Sequence, residues 1–234
     1  MVLLLTLMTA ALIMVASPAW ADTFTVNSTA DTGDAIPGDG SCFTGNVLVI
    51  GDECTLRAAI EEANANNNAP TVDRITFDIP TTGIATISPA SELPPITQQA
   101  TINGYSQQGS SVNTATTGTN AVLKIVLDGS NAGSQASGLV VKAPNSTVKG
   151  LVINRFHFGV LFDETTPSDK GRTLEGCFIG TDASGTQSLA NGAGVIVDDG
   201  AGNVIGGTSL DARNLISGND TGIFLSSPAT GNSI

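Results

Sequence analysis

Charged and aromatic side chains are scarce in this sequence of 234 residues. Only 13% of the residues are charged and 4% are aromatic, whereas glycine occurs 27 times. Most of the chain is therefore small, β-branched or amide-bearing, which suits tight turns between short strands. This composition favours an all-β fold and argues against the core of a helical enzyme.

Basic residues and histidine are also few. Nine Lys and Arg stand against 21 Asp and Glu, which gives a net charge of −12 and a pI near 4.1. Such a chain repels nucleic acid and anionic membrane surfaces, so we expect no nucleic-acid partner. His157 is the single histidine, between Phe156 and Phe158, and it supports no Ser/His/Asp or Cys/His arrangement. A packed or surface role fits it better than a catalytic one.

Long apolar runs are absent except at the start of the chain. Residues 1–16 are apolar apart from two threonines, and Ser17-Pro-Ala-Trp-Ala21 follows with small residues at its last and third-last positions. This pattern predicts a signal peptide, residues 1–21, cleaved after Ala21. A membrane anchor is the alternative, but the run is shorter than the ~20 residues that span a bilayer. We expect no membrane span in the mature chain and a secreted or cell-surface location.

A secreted protein reaches an oxidising compartment, where cysteines can form disulfides, and the three cysteines of this chain are interpreted on that basis. Cys42 and Cys54 share one Gly- and Asp-rich region and could close a disulfide. Cys177 lies in the apolar segment Cys-Phe-Ile, where it fits as a small core residue. Three free thiols are the alternative, and the absence of a C-x-x-C motif or a Cys/His cluster argues against zinc or redox chemistry.

Glycine-led apolar segments recur in the second half of the chain: Gly138-Leu-Val-Val, Gly159-Val-Leu-Phe, Gly194-Val-Ile-Val and Gly222-Ile-Phe-Leu. Gly138 and Gly222 are 84 residues apart, or three intervals of 28 on average. A period of this size indicates a repeat architecture. Short β-runs without helical periodicity predict a solenoid of stacked strands.

A second alignment indicates how many strands each coil contains. Gly150-Leu-Val-Ile, Gly176-Cys-Phe-Ile and Arg213-Asn-Leu-Ile align with one another. The alignment predicts one stack of side chains from Val152, Phe178 and Leu215 and a neighbouring stack from Ile153, Ile179 and Ile216. We therefore predict three strands per coil. Both stacks are apolar, so the sequence leaves open which of them faces inward.

One amphipathic helix is predicted, from about residue 55 to residue 66. Leu56, Ala59, Ile60 and Ala63 form one apolar stripe at i, i+3, i+4 and i+7. We predict that Thr55 is its N-cap and that the helix covers the open end of the first coil. A first strand is predicted before it, at residues 23–27.

The segment Cys54-Thr-Leu-Arg-Ala-Ala-Ile60, followed by Glu-Glu-Ala-Asn64, resembles the motif of the CSLREA domain. Thr55 and Ala58 stand where that motif has Ser and Glu, so half of a capping box is kept. A change of Ala58→Glu is accordingly expected to stabilise the helix by a few tenths to ~1 kcal/mol. Further segments resemble the strands and repeats of this family: Asp73-Arg-Ile-Thr-Phe-Asp78, residues 100–107, residues 202–208 and residues 213–219.

The resemblance implies a right-handed single-stranded parallel β-helix with a short N-terminal capping α-helix, on a surface or extracellular protein. It implies no catalytic activity, because the family is defined by its architecture. We divide the chain into a signal peptide (1–21), an N-terminal cap region (22–105) and β-helix coils (106–234). The sequence stops within a strand-like segment at residues 230–234, so we expect the natural protein to be longer.

Acidic residues provide the candidates for chemistry. Asp31, Asp34 and Asp39 share one loop that could hold Ca²⁺, but their spacing differs from an EF-hand and turn residues explain them, so no metal or cofactor is assigned. Asp163 and Asp198 end successive glycine-led segments and could align on one face. Solvated residues at strand ends explain that placement as well, so no catalytic residue is assigned. The remaining candidate acids are Glu164, Asp182, Asp199, Asp211 and Asp220.

The basic residues and the asparagines also have structural explanations. Six of the nine cations could form a surface for an acidic polysaccharide or could simply offset the negative charge: Lys124, Lys142, Lys149, Arg155, Lys170 and Arg172. Gly-Asn recurs at Asn203, Asn219 and Asn232, where structural turns are the favoured interpretation.

We therefore expect a secreted or cell-surface structural or interaction scaffold without an assignable catalytic activity. Its expected partner is an extracellular polysaccharide or a cell-surface protein. The alternative is a polysaccharide lyase or hydrolase, or a carbohydrate-binding module, which is an analogy from the fold.

Overall fold

The computed structural model describes residues 21–66, 71–163, 170–198, 200–226 and 229–234. The predicted leader and most of its cleavage motif lie outside these residues. One α-helix, α1 (Leu56–Ala65), occurs in the described part, with short 3₁₀ turns at Gly104–Ser106 and Gly129–Asn131. The strands of the first part are β1 (Thr23–Val26), β2 (Val47–Leu48), β3 (Gly51–Asp52), β4 (Asp73–Phe77), β5 (Ala85–Ile87), β6 (Ala100–Asn103), β7 (Ile125–Asp128) and β8 (Ser137–Val141). The strands of the second part are β9 (Thr147–Lys149), β10 (Leu151–Asn154), β11 (Phe158–Asp163), β12 (Thr173–Glu175), β13 (Phe178–Ile179), β14 (Ala193–Asp198), β15 (Val204–Ile205), β16 (Leu215–Ile216) and β17 (Thr221–Leu225).

Three parallel sheets make up most of the structure, so the prediction of a β-rich chain with few helices is confirmed. The first sheet has six strands in the order β1-β4-β6-β9-β12-β15. The second has five, β16-β13-β10-β7-β5, and the third has four, β17-β14-β11-β8. Neighbours within these sheets are parallel, whereas β2 and β3 form a separate antiparallel hairpin.

The two predicted stacks of side chains exist in the second sheet. Val152 pairs with Phe178 and Phe178 with Leu215. Ile153 pairs with Ile179, which pairs with Ile216 in the same way. The alignment of repeats therefore predicted the register of three strands correctly.

Both faces of the second sheet are apolar because both are covered. Ile153 and Ile179 belong to the principal core, which draws residues from all three sheets and from α1. Val152 and Phe178 belong to a smaller cluster on the opposite face, together with Leu123 and Val126. Tyr105 packs against that second cluster, and its hydroxyl donates a hydrogen bond to the Gly176 carbonyl at 2.8 Å.

Helix α1 begins where the sequence predicted. Thr55 is its N-cap, and the Thr55 hydroxyl oxygen accepts a hydrogen bond from the Ala58 N–H at 3.1 Å. The stripe of Leu56, Ala59, Ile60 and Ala63 is buried in the principal core. Ala58 is also completely buried, so a glutamate there would be forced into the core. The expected gain from Ala58→Glu is therefore wrong, because the capping argument ignored the tertiary contacts of that position.

Cys42 and Cys54 form a disulfide, as the sequence predicted. The bridge joins the loop before β2 to the residue that precedes Thr55, so it fixes that loop to the start of α1. Cys177 is a buried free thiol, and its burial raises the pKa of the thiol to about 12. A thiol with such a pKa is a core residue and not a nucleophile.

Candidate functional site

Asp163 and Asp198 lie in register at the ends of β11 and β14. Because adjacent strands of a sheet are about 4.8 Å apart, the two residues are direct neighbours. In the sequence, these two acids end successive glycine-led segments, and the pairing of β11 with β14 brings them to one edge. Glu164 and Asp199, the next residues along the chain, lie outside the described part of the structure.

Each of the two carboxylates has a partner from the protein itself. Lys142 Nζ lies 3.0 Å from Asp163 Oδ2, and both side chains are about one-third exposed. Asp198 Oδ1 accepts a hydrogen bond from the Ser226 hydroxyl at 2.8 Å. Lys142 therefore neutralises the Asp163 carboxylate. The Asp198 carboxylate connects the end of β14 to Ser226, the residue after β17.

Arg172 lies beneath this edge and is completely buried. Its guanidinium donates to the Lys142 carbonyl oxygen and, at 3.5 Å, to the Asp163 carbonyl oxygen. A planar guanidinium can satisfy several carbonyl groups at once, which suits it to the interior of a strand junction. Its contacts to the backbone indicate that Arg172 holds the edge together.

Asp182 and Asp211, which the structure describes, have roles in their own turns. Asp182 organises the turn after β13, because Oδ1 accepts the N–H groups of Thr186 and Gln187 and Oδ2 accepts the Ser184 hydroxyl. These hydrogen bonds hold the pKa of Asp182 below its usual value. Asp211, before β16, also has a lowered pKa, chiefly through a hydrogen bond from Ser209. Asp182 and Asp211 therefore serve the turns in which they lie.

The six cations do not assemble into an open basic surface. Besides Lys142, Lys149 lies 3.6 Å from Glu175 and Arg155 lies 2.6 Å from Asp128. Burial raises the pKa of Asp128, but hydrogen bonds from Ser130 and the charge of Arg155 outweigh it and hold that pKa below its usual value. Arg172 is buried and binds backbone carbonyl groups. Four of the six cations therefore bind carboxylates or carbonyl groups of the protein itself: Lys142, Lys149, Arg155 and Arg172.

The recurrent asparagines bond the main chain of neighbouring segments. Asn203 Oδ1 accepts the Arg172 N–H at 3.1 Å, and Asn232 Oδ1 accepts the Asn203 N–H at 2.8 Å. Asn219 Nδ2 donates to the Ile179 carbonyl oxygen at 2.9 Å. The structural interpretation of these residues is therefore confirmed. His157 likewise packs on Phe158, with ring centroids 4.1 Å apart.

A second acidic group, around α1, was only partly visible in the sequence. Glu62 is completely buried, and its two carboxylate oxygens accept the N–H groups of Gly38 and Gly40 at 2.5 and 2.6 Å. Asp34 lies against it. Burial is the main reason that the pKa of Asp34 rises to about 6, and Glu62 and Asp39 add to the rise. In the sequence, the burial of Glu62 is indicated only by its position three residues after Ala59, which places it near the apolar stripe.

Asp31 belongs to the same loop but has a different partner. Both of its carboxylate oxygens bind the Arg57 guanidinium at 3.0 Å. In the described part of the chain, no group of three or more Asp, Glu, His or Cys side chains could hold a metal ion. Asp31 therefore ties this loop to α1.

Comparisons with family models and curated proteins assign no function, so a functional assignment depends on the residues described above. The sequence matches no protein-family model and no curated protein. Within the described residues, α1 is too short and too polar to cross a bilayer.

Proposed function

We propose that this protein is a secreted or cell-surface scaffold, with a structural or interaction role and without catalytic activity. The proposal rests on the binding partners of the polar side chains. Asp163, Asp198, Arg172 and the recurrent asparagines all bind other groups of the protein itself. An active site instead needs polar groups that converge on a space for substrate.

We further propose that the scaffold is a right-handed single-stranded parallel β-helix with three strands per coil. The order of strands supports this. The triplets β9-β10-β11, β12-β13-β14 and β15-β16-β17 each visit the first, second and third sheet in turn. A chain that returns to the same three sheets in the same order is typical of a solenoid.

In this proposal, residues 22–105 are the N-terminal cap region and residues 106–234 are the coils. Helix α1 packs beside β1 and β4 at one end of the first sheet. Its apolar stripe closes the core there, which is what the end of a stack of strands requires.

We also propose that residues 54–60 are a variant of the CSLREA motif. Several residues of the motif stabilise the fold, since Cys54 is in the disulfide, Thr55 caps α1 and Leu56 is buried. Arg57 binds Asp31.

The disulfide also supports export, because such bonds persist in oxidising compartments. Cleavage after Ala21 is part of the same proposal.

The scaffold proposal is tested by assays of depolymerisation with acidic and neutral polysaccharides, each with and without Ca²⁺. We expect no turnover by the wild-type protein. Turnover that disappears in Asp163→Ala or Asp198→Ala, but persists in the control Asp182→Ala, would overturn the proposal.

The second candidate is a polysaccharide lyase or hydrolase, or a carbohydrate-binding module. The observation that favours it is the register of Asp163 and Asp198, which places two carboxylates at one edge. A glycan array tests binding separately from turnover. Binding lost on Lys142→Ala, without turnover in the first assay, would indicate a binding module.

A further inference from the structure

The tip of the β2–β3 hairpin presents aliphatic side chains to solvent. Val47, Val49 and Ile50 expose 73%, 108% and 55% of their surface, and Leu48 between them is half-buried. Single exposed apolar residues are common on proteins, but a run of four apolar residues of which three are exposed is not. A contiguous exposed apolar surface of this kind marks an interaction site.

The residues of the turn itself are unusual for a hairpin. Val49 and Ile50 connect the paired residues Leu48 and Gly51. Two-residue turns favour Asn, Asp and Gly, so two consecutive β-branched residues are uncommon there. Neither Val49 nor Ile50 is among the residues that pack into the two described cores. Large aliphatic side chains that are exposed and absent from both cores suggest a role outside the fold.

The hairpin is held on a rigid base. Glu53, next to β3, is buried, and its carboxylate accepts hydrogen bonds from Ser28 at 2.8 Å, Thr44 at 2.7 Å and Asn46 at 2.9 Å. Burial raises the pKa of Glu53, but these hydrogen bonds outweigh it and lower the pKa below its usual value. The disulfide at Cys54 adds a covalent restraint. A preorganised base lowers the entropic cost of binding at the tip.

A groove with both polar and apolar lining residues adjoins the tip. It has a volume of about 470 Å³, and its apolar lining includes Leu48, Ile79, Pro80 and Ile84. Ile84 is half exposed. Leu48 belongs to both features, so the tip and the groove form one continuous surface, which we call the tip surface.

The charge around the tip surface selects its partner. Residues 22–86 contain ten Asp and Glu against two Arg. Asp52 and Asp78 are exposed beside the tip and the groove, and Arg57 is bound to Asp31. A second copy of this chain would bring the same negative charge, and an anionic bilayer would be repelled too. A basic partner is attracted.

We propose that the tip surface docks a basic polypeptide segment in which aliphatic side chains alternate with Lys or Arg. The aliphatic side chains cover the tip and the apolar side of the groove at Leu48 and Ile84, and the cations face Asp52 and Asp78. This inference rests on the proposed scaffold function, because it names the surface through which the scaffold binds.

The test measures binding of a short peptide of alternating Val and Lys by fluorescence anisotropy. The tip variant Val49→Ser/Ile50→Ser is compared with the control Val112→Ser/Val122→Ser, which alters two exposed valines elsewhere (40% and 41% exposed). We expect the tip variant to bind about tenfold more weakly than the wild type and the control to bind equally. Thermal melting shows that each variant is folded, and Val49→Thr replaces the tip variant if that variant unfolds.

Four outcomes would overturn the inference. The first is equal binding by the tip variant. The second is equally tight binding of a Ser/Lys or a Val/Glu peptide, which would remove the need for aliphatic or for basic side chains. The third is binding to phosphatidylcholine vesicles that depends on the tip, and the fourth is self-association that depends on it. Failure of the peptide assay without turnover of polysaccharide leaves the scaffold proposal intact, whereas turnover that requires Asp163 overturns the scaffold proposal alone.

Discussion

Glycines of the third sheet lie where backbones approach most closely. A Cβ atom on Gly138 would meet the Gly159 carbonyl oxygen at 2.6 Å. The same distance separates a Cβ on Gly159 from the Gly194 oxygen, and a Cβ on Gly194 from the Gly222 oxygen. The recurrence of glycine in β8, β11 and β14 therefore has a steric cause, since no side chain fits between these strands.

Gly159→Ala should destabilise the protein by about 2 kcal/mol or more, because the methyl group would also lie 2.9 Å from Ile179 Cγ2 and the backbone must move. Urea unfolding measures the change. Gly222→Ala is the matched control, since its Cβ would have nothing within 4 Å. Equal losses of stability in both variants would contradict the steric explanation.

The raised pKa of Asp34 predicts that the stability of the protein depends on pH. Its pKa is raised from 3.8 to about 6 in the folded protein, so the folded state holds this proton more tightly than the unfolded state. The resulting stabilisation is present below about pH 4 and is lost as the pH rises through about 6. The free energy of unfolding should therefore fall over this window in the wild type.

Asp34→Asn removes the titrating group and should flatten that fall. Urea midpoints between about pH 4 and about pH 7 measure the slopes of both proteins. Identical slopes for Asp34→Asn and the wild type would show that another group titrates.

At the scale of the element, α1 depends on one side chain for its start. The Thr55 hydroxyl accepts the Ala58 N–H and donates to the Thr32 carbonyl oxygen at 2.6 Å. Thr55 therefore caps the helix and ties it to the acidic loop. The residue is completely buried, so neither bond is replaced by water when it is lost.

Thr55→Ala should lower the free energy of unfolding by about 1 to 2 kcal/mol. Thr55→Ser keeps the hydroxyl and should recover most of that loss. Thermal melting of the two variants beside the wild type gives the comparison. If Ser and Ala destabilise equally, the Thr55 methyl group and its packing matter more than the cap.

At the scale of the whole molecule, negative charge is concentrated in one part. Residues 22–105 carry 11 acids and two arginines, a net charge of −9 out of −12. The coils proposed at residues 106–234 hold the other seven cations against ten acids and are close to balanced. Repulsion between like charges therefore opposes folding mainly in the N-terminal part.

Salt should consequently stabilise the protein. A rise in ionic strength from about 0.01 M to about 0.15 M shortens the Debye length from about 30 Å to about 8 Å. We expect the Tm to rise by a few degrees over this range and the rise to be smaller in Asp39→Asn/Asp52→Asn. A falling Tm would mean that ion pairs such as Arg57–Asp31 outweigh the repulsion.

Local patterns were enough to predict several features from the sequence. The stripe of α1 and its cap at Thr55 depend on residues within one or two turns of the helix. The register of Val152 with Phe178 and the alignment of Asp163 with Asp198 follow from a repeat, because equivalent residues of parallel neighbours come to lie side by side. The Cys42–Cys54 bridge joins residues only 12 apart.

Other features depend on contacts between distant segments. Ile153 faces the principal core and Val152 the smaller cluster, because Tyr105 and Leu123 cover the opposite face of the second sheet. Ala58 is buried and Glu62 binds the loop at Gly38 and Gly40 for the same kind of reason. Composition and periodicity determined that this chain is rich in β-strands and contains an amphipathic helix. Only the tertiary structure decided which groups are buried and which pairs of charges meet, since burial and Coulomb energies depend on distances in space.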